Sequence, residues 1–343
     1  PMVLAEFLEQ WNDDKAPCML VHTSGSTGKP KPLWVEKRRM EASARATCQY
    51  LGLKAGNTAL LCMPLDYIAG KMMVVRSLVA NLQLVVVEPD GHPLKDLETD
   101  IDFAAMVPLQ VYNSLQVPAE RQRLMRIKHL IIGGSAIDET LAKELSAFPH
   151  AVWSTYGMTE TLSHIALRRL NGPDASDWYR PFDGVKTRLN SDGCLVIDAP
   201  AVCPGTLVTN DRAELRSYGR QDNATASCFR ILGRKDNVID SGGIKIQIEE
   251  VENRLRPILT GGFAITSCPD EQFGEAVVLL TTQTDTCAVK ALCRQCLPKY
   301  WQPRHIFHTA TIPQTDTGKP ARAEIKAVSL RLYKNTAAEA AGL

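Results

Sequence analysis

Nine consecutive residues, Thr23-Ser24-Gly25-Ser26-Thr27-Gly28-Lys29-Pro30-Lys31, carry four hydroxyls, two glycines and two lysines. They directly follow the apolar run Cys18-Met19-Leu20-Val21, which reads as a buried strand. Glycines at 25 and 28 let the backbone turn with its N–H groups facing inward, and the hydroxyls and ammonium groups add donors to the same concavity. Such a loop holds phosphate oxygens. A Walker A loop needs four residues between its glycines and a Ser or Thr after its Lys. Here two residues separate Gly25 from Gly28 and Pro30 follows Lys29, which excludes that loop. Ser26-Thr27-Gly28-Lys29 fits the S-x-x-K pattern of serine acylases, but the K-T-G and S-D-N partners occur nowhere in the chain. A flexible Ser/Gly linker is the remaining reading, and it gives no reason for two lysines and a proline after the glycines.

The surrounding pattern supplies elements to position this loop. Leu4, Phe7, Leu8 and Trp11 recur at helical spacing and predict an opening helix packed over the first strand. Met40, Ala44, Thr47, Cys48 and Leu51 predict a second helix ending near Gly52. Apolar runs at 59–63, 84–87, 103–107 and 130–132 read as strands, accompanied by helical stretches at 71–80, 109–115 and 139–148. Such alternation predicts an α/β fold with a mostly parallel sheet covered on both faces. Ligands of these sheets sit beyond the carboxyl ends of the strands, where 23–31, 64–70 and 133–137 all fall. From about residue 184 the pattern changes to hairpins, with Asp192-Gly193 as a turn, and predicts a small distorted β-subdomain. After Gly233 short strands and helices interleave again, in a smaller α+β unit.

With 343 residues the chain can bury a sizeable core and form two domains. A net charge of +1 gives no general attraction to nucleic acid or membrane, so anion binding has to be local. Ten cysteines are scattered through apolar segments in the manner of buried, reduced thiols. Cys293 and Cys296 form a C-x-x-C inside a helical pattern with no second pair, which reads as a core helix face rather than a zinc or redox site. No signal peptide and no membrane-length apolar run occurs; Arg76 interrupts the best candidate. A cytoplasmic protein is the expectation. Pro1 at the start, in place of Met, suggests a short N-terminal piece outside this sequence.

The loop at 23–31 resembles the phosphate loop of the adenylate-forming enzymes, the superfamily of acyl-CoA synthetases, peptide-synthetase adenylation domains and luciferases. Four further stretches match it in the same order: Gly133-Gly134-Ser135-Ala136, Tyr156-Gly157-Met158-Thr159-Glu160, Gly233-Arg234-Lys235-Asp236 with Ser241-Gly242-Gly243, and Thr317-Gly318-Lys319. The resemblance runs from residue 23 to about 322. It implies that ATP, with Mg2+, activates a small-molecule carboxylic acid to an acyl-adenylate, which then passes to the thiol of CoA. Thr23, Ser24, Gly25, Ser26, Thr27, Gly28 and Lys29 would hold the departing phosphates, Thr159 the α-phosphate, and Glu160 the magnesium, an ion suited to oxygen ligands. Tyr156 would lie against adenine. Gly133, Gly134, Ser135 and Ala136, with Gly157 and Met158, would line the nucleotide and acyl pocket. The ribose contacts implied are Asp211 and Arg234, and Asp236 takes the hinge position. Lys319 is the lysine that such enzymes direct at the carboxylate and α-phosphate oxygens. With an ordinary pKa of about 10.4 it stays charged and acts electrostatically. Because one domain donates this lysine and must then withdraw, a two-state hinge follows, with Gly242 and Gly243 approaching CoA in the second state. The domains expected are 1–233, with the β-subdomain over about 184–233, a hinge at 234–236, a mobile C-terminal domain at 237–336 and a fraying tail at 337–343.

Several departures matter. Thr209-Asn210-Asp211 stands where the superfamily usually has Thr-Gly-Asp, and Asn tolerates the positive φ such a turn needs. Tyr67, in Pro64-Leu65-Asp66-Tyr67-Ile68-Ala69-Gly70, replaces a usual His and implies a partly rebuilt acyl pocket. Only 22 residues precede the phosphate loop, where the superfamily has a long subdomain. The stretch from Tyr156 to Ala166 is most similar to short-form o-succinylbenzoate–CoA ligases of menaquinone synthesis. A second carboxylate on that acid wants a cation, and Lys71 is the candidate; the alternative is that Lys71 starts a surface helix. Another aryl or acyl acid, a carrier protein as acceptor, and a non-catalytic nucleotide-binding protein stay open, although Lys319, Glu160 and Arg234 together speak against the last.

Overall fold

The structure, a computed structural model, describes residues 2–22, 32–135, 137, 139–219, 225–315 and 320–340. Two compact units divide the chain. The first comprises Pro1–Ser191, Leu195–Thr209 and Glu214–Arg230, and the second Asp192–Cys194, Asn210–Ala213 and Ile231–Leu343.

In the first unit, α1 (Leu4–Asn12) buries Phe7, and an antiparallel pair, β1 (Cys18–His22) with β2 (Pro32–Glu36), leads into α2 (Lys37–Leu51). Helix α2 turns Met40, Ala44, Thr47, Cys48 and Leu51 inward and stops at Gly52, whose φ of 68° only glycine adopts without cost. There follow β3 (Thr58–Leu61), α3 (Ile68–Ala80), β4 (Gln83–Val86), β5 (Phe103–Met106), α4 (Pro108–Gln116), α5 (Pro118–Arg126), β6 (His129–Ile132), α6 (Glu139–Ser146), β7 (Ala151–Gly157), β8 (His164–Arg169) and β9 (Arg180–Pro181). The sheet order is β4-β3-β5-β6-β7-β8-β9, parallel through β7 and antiparallel beyond it. This is the α/β class expected from the alternation. The step from β3 to β4 runs one way and the steps from β5 to β6 to β7 run the other. Right-handed crossovers therefore put α3 on one face and α4 to α6 on the opposite face, and the carboxyl ends of the strands part around a crevice between β3 and β5. Helix α5 carries no readable apolar stripe: Pro118 opens it and it buries only Glu120 and Leu124.

Next, β10 (Lys186–Leu189), β11 (Cys194–Asp198), β12 (Leu207–Gly219) and β13 (Thr225–Arg234) form a four-stranded sheet in that order, the first two closed by a turn with Gly193 at φ 73°.

The second unit holds β14 (Val238–Ser241), β15 (Ile244–Gln247), α7 (Ile248–Leu255), β16 (Phe263–Asp270), β17 (Gly274–Thr281), α8 (Thr286–Cys296), β18 (His305–His308) and α9 (Arg322–Ala340). Its sheet is two-faced by the period of the strand. Ile265, Val277 and Leu279 pack with residues of α7 and α8, while Ala264, Val278 and Leu280 pack with Ile325 of α9. Cys293 belongs to the first of these cores, and the ten cysteines are unpaired. The Ala-rich end expected as a tail is helical to Ala340, in keeping with alanine's helix propensity. Among the described residues no helix is long and apolar enough to cross a membrane.

Candidate active site

Three strand ends of the first unit meet at one place. A Cβ on Gly133, just past β6, would lie 2.2 Å from Thr155 Oγ1 on β7, and one on Gly134, at φ 87°, would lie 3.3 Å from Val107 just past β5. Glycine at 133 leaves room for the Thr155 side chain, and glycine at 134 takes a positive φ at no steric cost. Ser135 follows, half-buried. Gly157 ends β7 against the returning β8, where a Cβ would meet Ser163 O at 2.3 Å. Met158 then leads into a single helical turn, Thr159–Thr161, with Thr159 buried and Glu160 exposed. The turn is tied by Thr161, whose Oγ1 accepts from Met158 N at 3.0 Å and donates to Ser163 O at 2.8 Å. Leu162 closes it at φ 64°, ψ −36°, with Ser163 N–H donating to Thr161 O at 2.7 Å. That is a γ-turn of positive φ, rare and strained for a side chain like leucine. Tyr156, half-buried at the end of β7, sits edge-on to Phe229 at 4.9 Å and tilted to Tyr179 at 5.8 Å, so aromatic packing holds its ring.

Beneath this turn runs a buried polar chain. Arg76 of α3 is 2 % exposed, and its Nη2 donates to Ser163 Oγ at 2.6 Å. Ser163 Oγ lies 3.2 Å from His164 Nδ1, and His164 Nε2 lies 3.1 Å from Thr47 Oγ1, which itself donates to Ser43 O at 3.1 Å. Since Thr47 spends its proton on Ser43, the pattern assigns the imidazole proton to Nε2 and leaves Nδ1 to accept from Ser163. Burial, with the nearby Arg76 charge, holds the His164 pKa well below its ordinary value, so the ring is neutral. Burial also pulls Arg76 down to about 10. Among the described residues no carboxylate lies within 4.0 Å of its guanidinium, and Nε has no hydrogen-bond partner. In the sequence Arg76 registers only as a charge that breaks an apolar run; a lone Arg in a helix of apolar neighbours was itself the signal of a buried cation.

Lys71, one turn earlier on α3, is 1 % exposed, so the surface-helix alternative does not hold. Its Nζ donates to Met2 Sδ at 3.2 Å and lies 5.8 Å from the Phe7 ring centroid, and burial lowers its pKa. Tyr67 caps the same helix and is 39 % exposed. Gly70 sits with its would-be Cβ 2.3 Å from Pro64 O, which folds the 64–70 segment onto the helix start.

The second unit contains the other group. Arg234 Nη2 donates to Asp236 Oδ2 at 2.9 Å, Arg234 Nη1 lies 3.5 Å from Asp211 Oδ1, and Asn210 Nδ2 donates to Asp236 Oδ2 at 3.1 Å. Asn210, the departure from the usual glycine, therefore bonds Asp236. Gly242 and Gly243 form the two-residue turn between β14 and β15, at φ 62° and 81°. Gly242 packs under Phe273, where a Cβ would lie 2.8 Å from the ring, whereas Gly243 faces open space. Thr23, Ser24, Gly25, Ser26, Thr27, Gly28, Lys29, Ala136 and Lys319 lie outside the described residues. Among the described residues no three His, Cys, Asp or Glu side chains gather as a metal cage.

A model of the AMP-binding enzyme family matches residues 4–203, more than half of the chain. The chain belongs to that family. It is 35 % identical to an AMP-forming acyl-CoA synthetase/AMP-acid ligase II-like protein of Dyadobacter fermentans, with a TM-score of 0.62 over 93 % of this chain and 91 % of that one. The 2-succinylbenzoate–CoA ligase of Salmonella typhimurium is 28 % identical over 87 % of this chain and 66 % of its own length. The o-succinylbenzoate coenzyme A synthetase of Bacillus subtilis, solved with ATP and magnesium ion, is 20 % identical with a TM-score of 0.70, covering 89 % of this chain and 69 % of that one; it shares the fold.

Proposed function

We propose that this enzyme joins o-succinylbenzoate to CoA in the cytoplasm, within menaquinone synthesis, through an acyl-adenylate. The relatives of that name support the substrate. The observation that carries the reading is the crevice edge itself, where Gly133, Gly134 and the strained turn around Thr159 and Glu160 stand over a buried guanidinium with no described carboxylate partner. In the first step a carboxylate oxygen of the acid attacks the α-phosphorus of ATP and pyrophosphate leaves. In the second the CoA thiol attacks the acyl carbon and AMP leaves.

The loop from Thr23 to Lys29 holds the leaving phosphates, and Thr159 the α-phosphate. Glu160, a single exposed carboxylate, fits magnesium, an ion that binds through one or two carboxylates together with substrate phosphates. Bound there, magnesium supplies charge neutralisation to the phosphates. Tyr156 packs against adenine, and Gly133, Gly134, Ser135, Ala136, Gly157, Met158 and Tyr67 border the nucleotide and acid. Asp211 and Arg234 bind ribose, the latter shared with Asp236 at the hinge. The C-terminal domain brings Lys319 to the first step and, after turning at the hinge, Gly242 and Gly243 to CoA. Of the two buried cations on α3, Arg76 is bonded to the motif through Ser163 and Lys71 to Met2. The second carboxylate of the acid is assigned to Arg76, with Lys71 the other candidate.

The test is pyrophosphate release and CoA consumption with ATP, Mg2+ and o-succinylbenzoate, beside benzoate, a fatty acid and the Lys319→Ala variant. Turnover with o-succinylbenzoate alone, and a loss of adenylate formation of about 10²-fold or more in Lys319→Ala, is the expected result. Turnover with another acid only removes the menaquinone assignment, and pyrophosphate release without CoA consumption points to a carrier-protein acceptor.

A further inference from the structure

We propose that Tyr179 and Phe229 are positioning residues for Tyr156, holding its ring ready as the plate on which the adenine of ATP lies; this rests on the reading of Tyr156 just given. Tyr156 is the last residue but one of β7, and the register against β8 shifts just beyond it. Tyr156 faces Ala166 and Gly157 faces His164, which leaves Ile165 over as a bulge. A bulge re-aims the side chains beside it, so the pleat alone does not fix where the Tyr156 ring points. Side-chain contacts have to fix it. The cross-strand neighbour Ala166 is fully buried but too small to grip a ring. The grip comes from two larger residues. The Phe229 ring lies 4.9 Å from that of Tyr156 at an interplanar angle of 76°, and the Tyr179 ring lies 5.8 Å away at 56°. Two rings inclined to it in this way oppose rotation about both side-chain torsions of Tyr156.

The two clamping rings are themselves fixed. Tyr179 N–H donates to Phe229 O at 2.7 Å and Phe229 N–H donates to Tyr179 O at 3.1 Å, an antiparallel bridge just before β9. Their rings stack at 5.5 Å and 21°, with Phe229 fully buried. Tyr179 OH is hydrogen-bonded at 2.8 Å to Oγ of Ser154, which stands two positions before Tyr156 on the same face of β7. Arg168, opposite Ser154 in the register, brings its guanidinium carbon 5.4 Å from the Tyr179 ring centroid and donates to Asp177 Oδ1 at 3.1 Å. Tyr156, by contrast, is half-buried. A core asks for volume, and other apolar side chains of similar size would fill this one. A plate for a base asks for direction as well. A ring immobilised beforehand spares the complex the entropy of ordering it, which is worth about two- to tenfold in affinity.

The experiment titrates ATP with Mg2+ calorimetrically into five variants and follows acid-dependent ATP–pyrophosphate exchange in the same proteins. Tyr179→Leu and Phe229→Leu keep apolar bulk and lose the ring, Tyr179→Phe keeps the ring, and Tyr156→Ala is made alone and combined with Tyr179→Leu. The expected result is a rise of about three- to tenfold in the Kd and KM for ATP in both Leu variants, and a return to within about twofold of the parent in Tyr179→Phe. The kcat and the KM for the acid stay within about twofold, because contact with adenine holds ground state and transition state alike. Tyr179→Leu is expected to add nothing to Tyr156→Ala, since a residue that acts through Tyr156 then has nothing left to position. Additive effects, an unchanged Kd in both Leu variants, or a fall in kcat with KM for ATP unmoved would mean packing alone and overturn the proposal. The titration contains no acid, so it tests the clamp whichever acid the enzyme takes. If Tyr156→Ala itself binds ATP like the parent, the reading of Tyr156 fails and takes the clamp with it. Should the Leu variants not fold, ring-proton NMR on the parent protein decides: contacts of the Tyr156 ring with Phe229 and Tyr179 are expected before ATP is added and unchanged after, and contacts that form only with ATP overturn the proposal.

Discussion

Arg76, buried in the middle of a helix, and Arg322, half-buried at the start of one and paired with Glu252, are two guanidiniums with opposite surroundings. Arg322 has its own carboxylate: burial would lower its pKa, but the Glu252 hydrogen bonds and charge more than offset this and hold it above the ordinary value. Arg76 has a serine, a thioether and an orphan Nε, and burial pulls it down to about 10. A cation supplied with its counter-ion by the fold is part of the framework. One left without an anion among the described residues carries an unfulfilled desolvation cost, which an anionic ligand relieves. The contrast separates a residue that holds the chain from one that we propose meets the acid.

The sharpest way to break this contrast is by stability. Arg322→Met leaves Glu252 buried and unpaired and is expected to cost ~3–5 kcal/mol, whereas Arg76→Met removes an uncompensated charge with its hydrogen bonds to Ser163 and the Met73 thioether and is expected to change stability by less than about 1 kcal/mol. Urea unfolding measures both, and equal losses would show that Arg76 too has a structural partner. Next in size is specificity. Arg76→Met is expected to lower kcat/KM for a dicarboxylic acid by ~10²-fold while a monocarboxylic acid of the same ring system loses only a few-fold, as follows from removing one partner of a desolvated ion pair. Steady-state kinetics on the two acids, run beside Lys71→Met, tells which cation of α3 meets the substrate.

The smallest expected effect concerns His164, which the Arg76 charge helps to keep neutral. Its folded pKa is far below 6.5 while the unfolded chain titrates near 6.5, so below that pH the unfolded state binds the extra proton. The stability this neutral ring contributes is present above pH 6.5 and is lost as pH falls toward the folded pKa, at up to about 1.4 kcal/mol per pH unit. Urea midpoints between pH 7.5 and 5.5 should fall in the parent and fall less in His164→Gln; equal slopes would mean that the ring is protonated in the folded state.

Much of the framework was legible in the letters. The runs at 59–63, 84–87, 103–107 and 130–132 became β3 to β6: β3, β5 and β6 are buried parallel strands that need uninterrupted apolar residues, while β4 lies at the sheet edge and is half exposed. Gly133, Gly134 and Gly157 were readable as motif glycines, and the structure adds that a Cβ would collide at 2.2 Å on Gly133 and 2.3 Å on Gly157, while Gly134 has a positive φ. The γ-turn at Leu162 was not legible, since a strained φ is imposed by what surrounds it and leucine does not announce it. Nor was α5, which buries too little to leave a period, nor the burial of Lys71, whose cover comes from Met2 and Phe7 in another helix and its approach.

The sequence by itself determined the alternation of strands and helices in the first unit, the hairpins after residue 184 and the smaller α+β unit that follows, because periodicity and turn residues are local properties of the chain. Only the tertiary structure decided what each buried charge means. Arg76 meets Ser163 across 87 positions and Arg322 meets Glu252 across 70, and whether a desolvated cation finds a carboxylate or a hydroxyl depends on which distant segments the packed core brings together.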